Sequence, residues 1–235
     1  MKYEKHMLAF CMGIFAVLSI SCSDNSSSAD EDSFDASKVC PTEGLNRYNE
    51  PMRGTFTDER DGQVYKYTTI GEQVWMAENL KFDAPYSLCY DKIEGFCDTF
   101  GRFYSLHIDG EDFGLFDQAL MDTICPAGWH VPNVDEWNVL AYNMGGASIA
   151  NSRLKSAGEF GYTYTPGTDD CIFNSLPAGY SLLDGSHDSD NLYAVYWTST
   201  AYTSSLSYTC IIDRSDFRFG RNHPKMSIRC IKDSL

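Results

Sequence analysis

His130 sits in the run CPAGWHVPNVDEW, residues 125–137, with a tryptophan on one side and a cysteine, two prolines and a second tryptophan close by. An imidazole in such company could serve as a general base or a metal ligand, but either role needs a second group at a fixed spacing. The chain has no H-E-x-x-H, no G-x-S-x-G and no phosphate-cradling glycine loop. His107, His187 and His223 are scattered singly along the rest of the sequence. His130 therefore reads as a structural histidine bonded to backbone. Paired carboxylates of the kind that hydrolyse glycosides are on offer in any acid-rich chain, so they carry little weight here. A non-catalytic protein is the expectation.

Two other groups of side chains could meet a ligand. The run LLDGSHDSDN, residues 182–191, crowds Asp184, Asp188, Asp190 and Asn191 into one loop, and oxygen ligands on a flexible loop suit calcium. The spacing is not that of an EF-hand, and a solvated acidic loop is the competing reading. Calcium is the one cofactor candidate. Tyr162, Tyr164 and Tyr202 fall on expected loops, where an aromatic face can stack on a sugar ring. Trp75, Trp129, Trp137 and Trp197 lie in patterned segments instead and are expected in the core.

These groups need elements to position them. Residues 62–80 alternate β-formers, break at Gly71-Glu72 and resume, which predicts a hairpin with a type II′ turn. Residues 133–146 predict a helix: Asn133 caps it, Glu136 returns a bond to the cap, and Val134, Trp137, Leu140, Ala141 and Met144 share one face before Gly145 stops it. A second short helix is expected near residues 149–156. Strands are expected at 175–180, 194–200, 207–213 and 227–232.

The N-terminus limits what can belong to the fold. Lys2 and Lys5 precede an apolar run at residues 7–20, shorter than the ~20 residues that span a bilayer, so it reads as a secretory signal. The segment ending at Cys22 resembles a bacterial lipoprotein box, which implies lipid on Cys22; Ser19 departs from the usual aliphatic residue. Residues 23–38 are polar and acidic and cannot bury enough surface to order themselves, so they read as a tether. Acids behind a lipidated cysteine resemble the surface-export signals of some Gram-negative lipoproteins. The formal charge of −15 disfavours nucleic acid and anionic lipid headgroups, leaving the anchor as the expected membrane contact. Seven cysteines follow Cys22, and in an exported chain the default is disulfides. Cys89 and Cys97 flank a charged loop and should close it. The odd thiol is expected at Cys40, near the tether.

The runs GTFTDERDGQVYKYTTIGEQVWMAENLKF, CPAGWHVPNVDEW, FNSLPAGY, YWTST and SIRCIKD follow in order between about residues 54 and 233. Together they closely resemble the Fibrobacter succinogenes major paralogous domain family, abundant in exported bacterial lipoproteins. More distantly, the Gly-Trp-x-x-Pro helix entry, the Trp-x-Ser segment and the closing Arg-Cys resemble the C-type-lectin-like superfamily, whose broad fold the formylglycine-generating enzymes share. The resemblance implies an α+β, C-type-lectin-like domain over residues 54–235: antiparallel strands, one or two main helices and long disulfide-braced loops. It would follow a signal peptide at 1–21 and an acidic tether and lead-in at 22–53. It also implies a Cys125–Cys230 bridge; Cys171 and Cys210 would then pair between middle strands, a departure from the family pattern.

No activity comes with the resemblance. The closely placed C-terminal cysteine pair of the formylglycine-generating enzymes is absent, and so are the Glu-Pro-Asn and Trp-Asn-Asp signatures of sugar-binding lectins, with WTST near the latter's place. The expected role is a lipid-anchored, non-catalytic module of the cell envelope, in the outer membrane and surface-exposed. Adhesion, or binding of plant or bacterial polysaccharide, is the first reading. A structural or protein-interaction module of the envelope is the alternative.

Overall fold

Polar caps and apolar spacing set where the helices of this chain begin and end. A computed structural model describes residues 34–90, 95–108, 115–160, 165–182, 186–188, 192–221 and 225–235. Its helices are α1 (Ala36–Val39), α2 (Phe96–Phe100), α3 (Gln118–Thr123), α4 (Val134–Asn143) and α5 (Ala147–Leu154). At the start of α4 the Asn133 side chain accepts the Glu136 N–H at 2.9 Å, and the Glu136 carboxylate accepts the Asn133 N–H at 2.8 Å. That is the capping box expected from the sequence. Trp137, Leu140, Ala141 and Met144 are buried, and Gly145 takes φ +92° where the helix stops.

The strands run β1 (Arg53–Thr57), β2 (Val64–Ile70), β3 (Gln73–Met76), β4 (Ser87–Leu88), β5 (Phe103–Tyr104), β6 (Trp129–His130) and β7 (Tyr180–Ser181). There follow β8 (His187–Asp188), β9 (Ala194–Ala201), β10 (Ser207–Ile212), β11 (Phe217–Arg221), β12 (Lys225–Met226) and β13 (Ile231–Lys232). They form three antiparallel sheets in the orders β1-β2-β3-β13-β6, β11-β10-β9 and β4-β5-β12-β7-β8. The β2–β3 hairpin closes through Gly71-Glu72 with Ile70 opposite Gln73; φ is positive only at Gly71, as a type II′ turn requires. Isolated parallel bridges, such as Tyr196 to Ser227, stitch the sheets to one another. The architecture is thus mixed, mostly antiparallel sheet with few helices and three disulfides.

Two of the expected strands are mostly irregular. Residues 175–180 carry Pro177, which has no N–H to donate, and Gly179 at φ +67°, so only Tyr180 enters a ladder. In residues 227–232 the regular part shrinks to β13, because the backbone there serves several partners in turn: Ile228 and Cys230 accept N–H groups of Leu80 and Met76, while Ser227 bonds Trp197.

One apolar cluster gathers Tyr65, Met76, Leu106, Trp197, Met226 and Ile228. A second lies between α4 and the sheets, where Trp75 and Trp137 meet at 4.8 Å and Trp137 stacks on Tyr196 at 5.4 Å. All four tryptophans are buried. The second cluster also receives Phe34, Ala36 and Val39, and Asp35 caps α1 by accepting the Ser37 N–H. The compact unit begins at Phe34, so residues 34–53, read above as tether and lead-in, belong to the fold. Residues 1–33, with the signal, Cys22 and most of the tether, lie outside the described residues.

The disulfides join Cys89 to Cys97, Cys125 to Cys230 and Cys40 to Cys171. The last replaces two expectations. Cys40 is not the odd thiol, and Cys171 does not pair with Cys210. The end of α1 brings Cys40 within 5.6 Å, Cα to Cα, of Cys171, whose carbonyl is held by the Thr68 hydroxyl at 2.7 Å. Cys210 stands mid-ladder between Tyr196 and Phe219, and burial pushes its thiol well up. Spanning 131 residues, the Cys40–Cys171 bridge stabilises the fold by about 5 kcal/mol in the chain-entropy account. The protein, alkylated while denatured and unreduced, should carry the label on Cys210; a label on Cys40 in peptide mapping would refute this pairing. The native protein should resist alkylation at both.

Candidate functional site

The pairing of β6 with β13 decides the environment of His130. Register places His130 opposite Ile231 and Trp129 opposite Lys232, which brings the following residue, Asp233, beside the imidazole. On the other side stands Glu136, in the first turn of α4. Nδ1 lies 2.7 Å from Asp233 Oδ1 and Nε2 lies 2.8 Å from Glu136 Oε1. A ring that meets a carboxylate at each nitrogen is fully satisfied when it donates from both, so this setting favours the imidazolium. The Glu136 hydrogen bond raises its pKa most, burial opposes this, and Asp233 adds to the rise.

The two carboxylates sit at opposite ends of the ring and cannot share one ion with it. Among the described residues no group of three His, Cys, Asp or Glu side chains is placed to hold a metal. Both ring nitrogens are engaged by carboxylates of the chain. The backbone partner expected for His130 is replaced by carboxylates, six and 103 residues away.

A cleft of about 560 Å³ opens beside this clasp, lined by Glu59, Arg60, Asp122, Trp129 and Asp233 among others. The one cation among its described lining residues, Arg60, is already engaged. Arg60 grips Asp58 at 2.6 Å, donates to the Thr123 and Ile124 carbonyls at 3.1 and 2.9 Å, and lies 3.9 Å over the Phe82 ring. Burial pushes the Asp58 carboxyl up, but hydrogen bonds from Arg60 outweigh it and hold the pKa below the usual carboxylate value. Trp129 is only 7% exposed and stacks on Phe56 at 4.4 Å, so it offers a ligand little face.

The tip of the β9–β10 hairpin is different, because it is rigid and yet open. The Tyr202 and Thr203 N–H groups donate to the Leu206 carbonyl at 2.7 and 2.8 Å, and the Thr203 hydroxyl accepts the N–H groups of Ser205 and Leu206. The Ser205 carbonyl meets His107 Nε2 at 3.3 Å, tying the tip to the body. A register shift between Ser207 and Thr209 re-aims the side chains beyond it. The outcome is an aromatic corner: Tyr202, 41% exposed, meets Tyr208 at 5.4 Å with ring planes 83° apart. Arg221, paired across the sheet with Tyr208, lies 4.3 Å from the centroid of the Tyr202 ring.

A model of the Fibrobacter succinogenes major domain matches residues 68–232, well over half of the 235. The chain belongs to the Fibrobacter succinogenes major domain family. No curated protein and no solved structure matches it. The Fibrobacter succinogenes major domain thus contains His130, Glu136 and the whole aromatic corner, while α1, Cys40 and β1 precede the matched segment.

Of the residues singled out for ligand contact, Tyr202 alone is described. Tyr162 and Tyr164 lie outside the described residues, as do Asp184, Asp190 and Asn191 of the calcium loop. Asp188 lies on β8, where its backbone pairs with Tyr180. The sequence reading missed Arg221. The alternation Phe217, Phe219, Arg221 in FRFGR would have put it on one sheet face, but its partner across the sheet is visible only in the register.

The clasp makes stability depend on pH. Since the folded pKa of His130 lies above its ordinary 6.5, the stabilisation is complete below that value and is lost as pH rises through the folded pKa. His130→Gln should therefore lower the melting temperature at mildly acidic pH and flatten its fall toward alkaline pH. Superimposable melting-pH curves for the two proteins would remove the clasp.

Proposed function

We propose that this protein is a lipid-anchored, non-catalytic module of the bacterial cell envelope, displayed outward from the outer membrane, that binds polysaccharide at the β9–β10 hairpin. The observation that carries this reading is the Tyr202–Tyr208 corner: the exposed Tyr202 ring on a hydrogen-bonded turn, set against the half-buried Tyr208 of β10, where a sugar can stack. The anchor rests on Cys22 and the basic-apolar leader. Among the described residues no helix is long and apolar enough to cross a membrane.

A C-type-lectin-like arrangement is part of the proposal. Its support is the meeting of β13 with β3 and β6, and the Cys125–Cys230 bridge from the helix approach to the end of the chain. Variable loops on such a rigid base suit recognition. The absence of catalysis is supported by where the reactive groups are engaged: His130 between two carboxylates and Arg60 on Asp58.

One observation favours contact with another envelope protein instead. Tyr142 and Val139, one turn apart on α4, are 81% and 46% exposed and form a small apolar outer face. Retention on insoluble plant and bacterial polysaccharides, with a glycan array, separates the readings. Tyr202→Ala should weaken retention about tenfold, the scale of an aromatic stack, at an unchanged melting temperature. No retention of the parent protein on any polysaccharide would turn the assignment toward the α4 face.

A further inference from the structure

We propose that the corner prefers acidic polysaccharides, those bearing uronate carboxylates, and that Arg221 is the residue that selects them; this rests on the glycan-binding reading above. The Arg221 guanidinium carbon lies over the Tyr202 ring, 4.3 Å from the centroid, a cation–π contact. The N–H donors of a guanidinium lie in its plane, so a cation–π contact can orient the group without spending them. Among the described residues no carboxylate or carbonyl takes them up.

In a chain with 33 acidic and 18 basic residues, the described arginines divide, and Arg47, Arg53, Arg214 and Arg229 share with Arg221 the lack of a carboxylate partner among the described residues. Arg60, Arg102, Arg153 and Arg218 each meet a carboxylate of the chain. Arg221 meets an aromatic ring instead, at an exposed edge of the β11-β10-β9 sheet. A guanidinium over one tyrosine ring and beside another, with its donors taken up by no described residue, fits a ligand with a flat apolar face and a planar anion at fixed separation. A hexuronate unit has both: its C–H face packs on an aromatic ring and its carboxylate accepts two parallel N–H bonds. A neutral sugar would meet the same rings but could offer the fork only hydroxyls.

The overall negative charge does not prevent this. At physiological ionic strength exposed charges more than about 8 Å apart are largely screened. The turn between β10 and β11, which carries Asp213, Arg214 and Asp216, closes the far end of the ladder, four residue pairs beyond the Tyr208–Arg221 pair, so its charges are largely screened from the corner. The local field at Arg221 is therefore not that of the whole chain.

The test is calorimetric binding of the full chain to soluble polygalacturonate and glucuronoxylan, against unsubstituted xylan and soluble cello-oligosaccharides, at low and high salt. The parent protein should bind the uronate polymers about tenfold more tightly, as expected for one charge-assisted fork, and the preference should shrink at high salt. Arg221→Gln should bring the two classes level at an unchanged melting temperature, Arg221→Lys should keep part of the preference, and Tyr202→Ala should weaken both classes. Equal binding of both classes by the parent protein, or a preference that survives Arg221→Gln, would overturn the selectivity while leaving glycan binding in place. No binding of either class would overturn the glycan reading itself, and the selectivity with it.

Discussion

A single fully buried guanidinium organises the interior. Arg229 donates to the Met76 carbonyl at 3.2 Å, the Phe173 carbonyl at 2.5 Å, the Asn174 carbonyl at 3.2 Å and, through two nitrogens, to the Asn79 side chain. Its faces meet the rings of Phe173 and Tyr196. Burying a charge is costly unless its donors are met, and here four oxygens from β3, the segment after it and the 173–174 turn meet them. Asn174 has φ +55°, a left-handed conformation that its bond to Arg229 and the Asp169 carboxylate help to hold. Burial in turn pushes the Asp169 carboxyl up. The irregular stretch 165–179 is thereby held without helix or strand by Arg229 and by the equally buried Cys40–Cys171 bridge.

This arrangement accounts for where the chemistry of the described residues goes. Arginine 229 precedes Cys230, whose bridge to Cys125 leads into α4, whose first turn supplies Glu136 to His130. Cation, disulfide and imidazolium form one continuous brace between the end of the chain and the main helix. The hairpin of Tyr202 stands apart from that brace, fixed by its own turn bonds and by His107. A scaffold held so tightly at its centre can vary its hairpin tips at little cost to stability, which suits a recognition surface.

Legibility in the sequence followed range. The capping box of α4, its buried face and the Gly71-Glu72 turn are all set within a few residues, and the structure forms them as read. The partner of Cys40 was not legible, since it depends on an approach across 131 residues. A local hint existed in Phe34 and Val39, apolar residues flanking a capping Asp35 at the edge of an otherwise polar stretch. Asp233 as a partner of His130 was hidden for the same reason: the contact follows from β6–β13 register, not from spacing. Arg221 shows the limit for function, because its meaning comes from an aromatic ring on the neighbouring hairpin.

The most direct test of this account is the unfolding free energy of Arg229→Met. Methionine fills much of the volume but leaves the Met76 and Phe173 carbonyls and the Asn79 side-chain oxygen buried, and the Asn174 carbonyl half-buried, without this donor. The account predicts a loss of about 3–5 kcal/mol in denaturant unfolding, with Arg229→Lys only partly restoring it because one ammonium cannot reach all four oxygens. A methionine variant within about 1 kcal/mol of the parent protein would contradict it, because burial of these oxygens would then need no arginine.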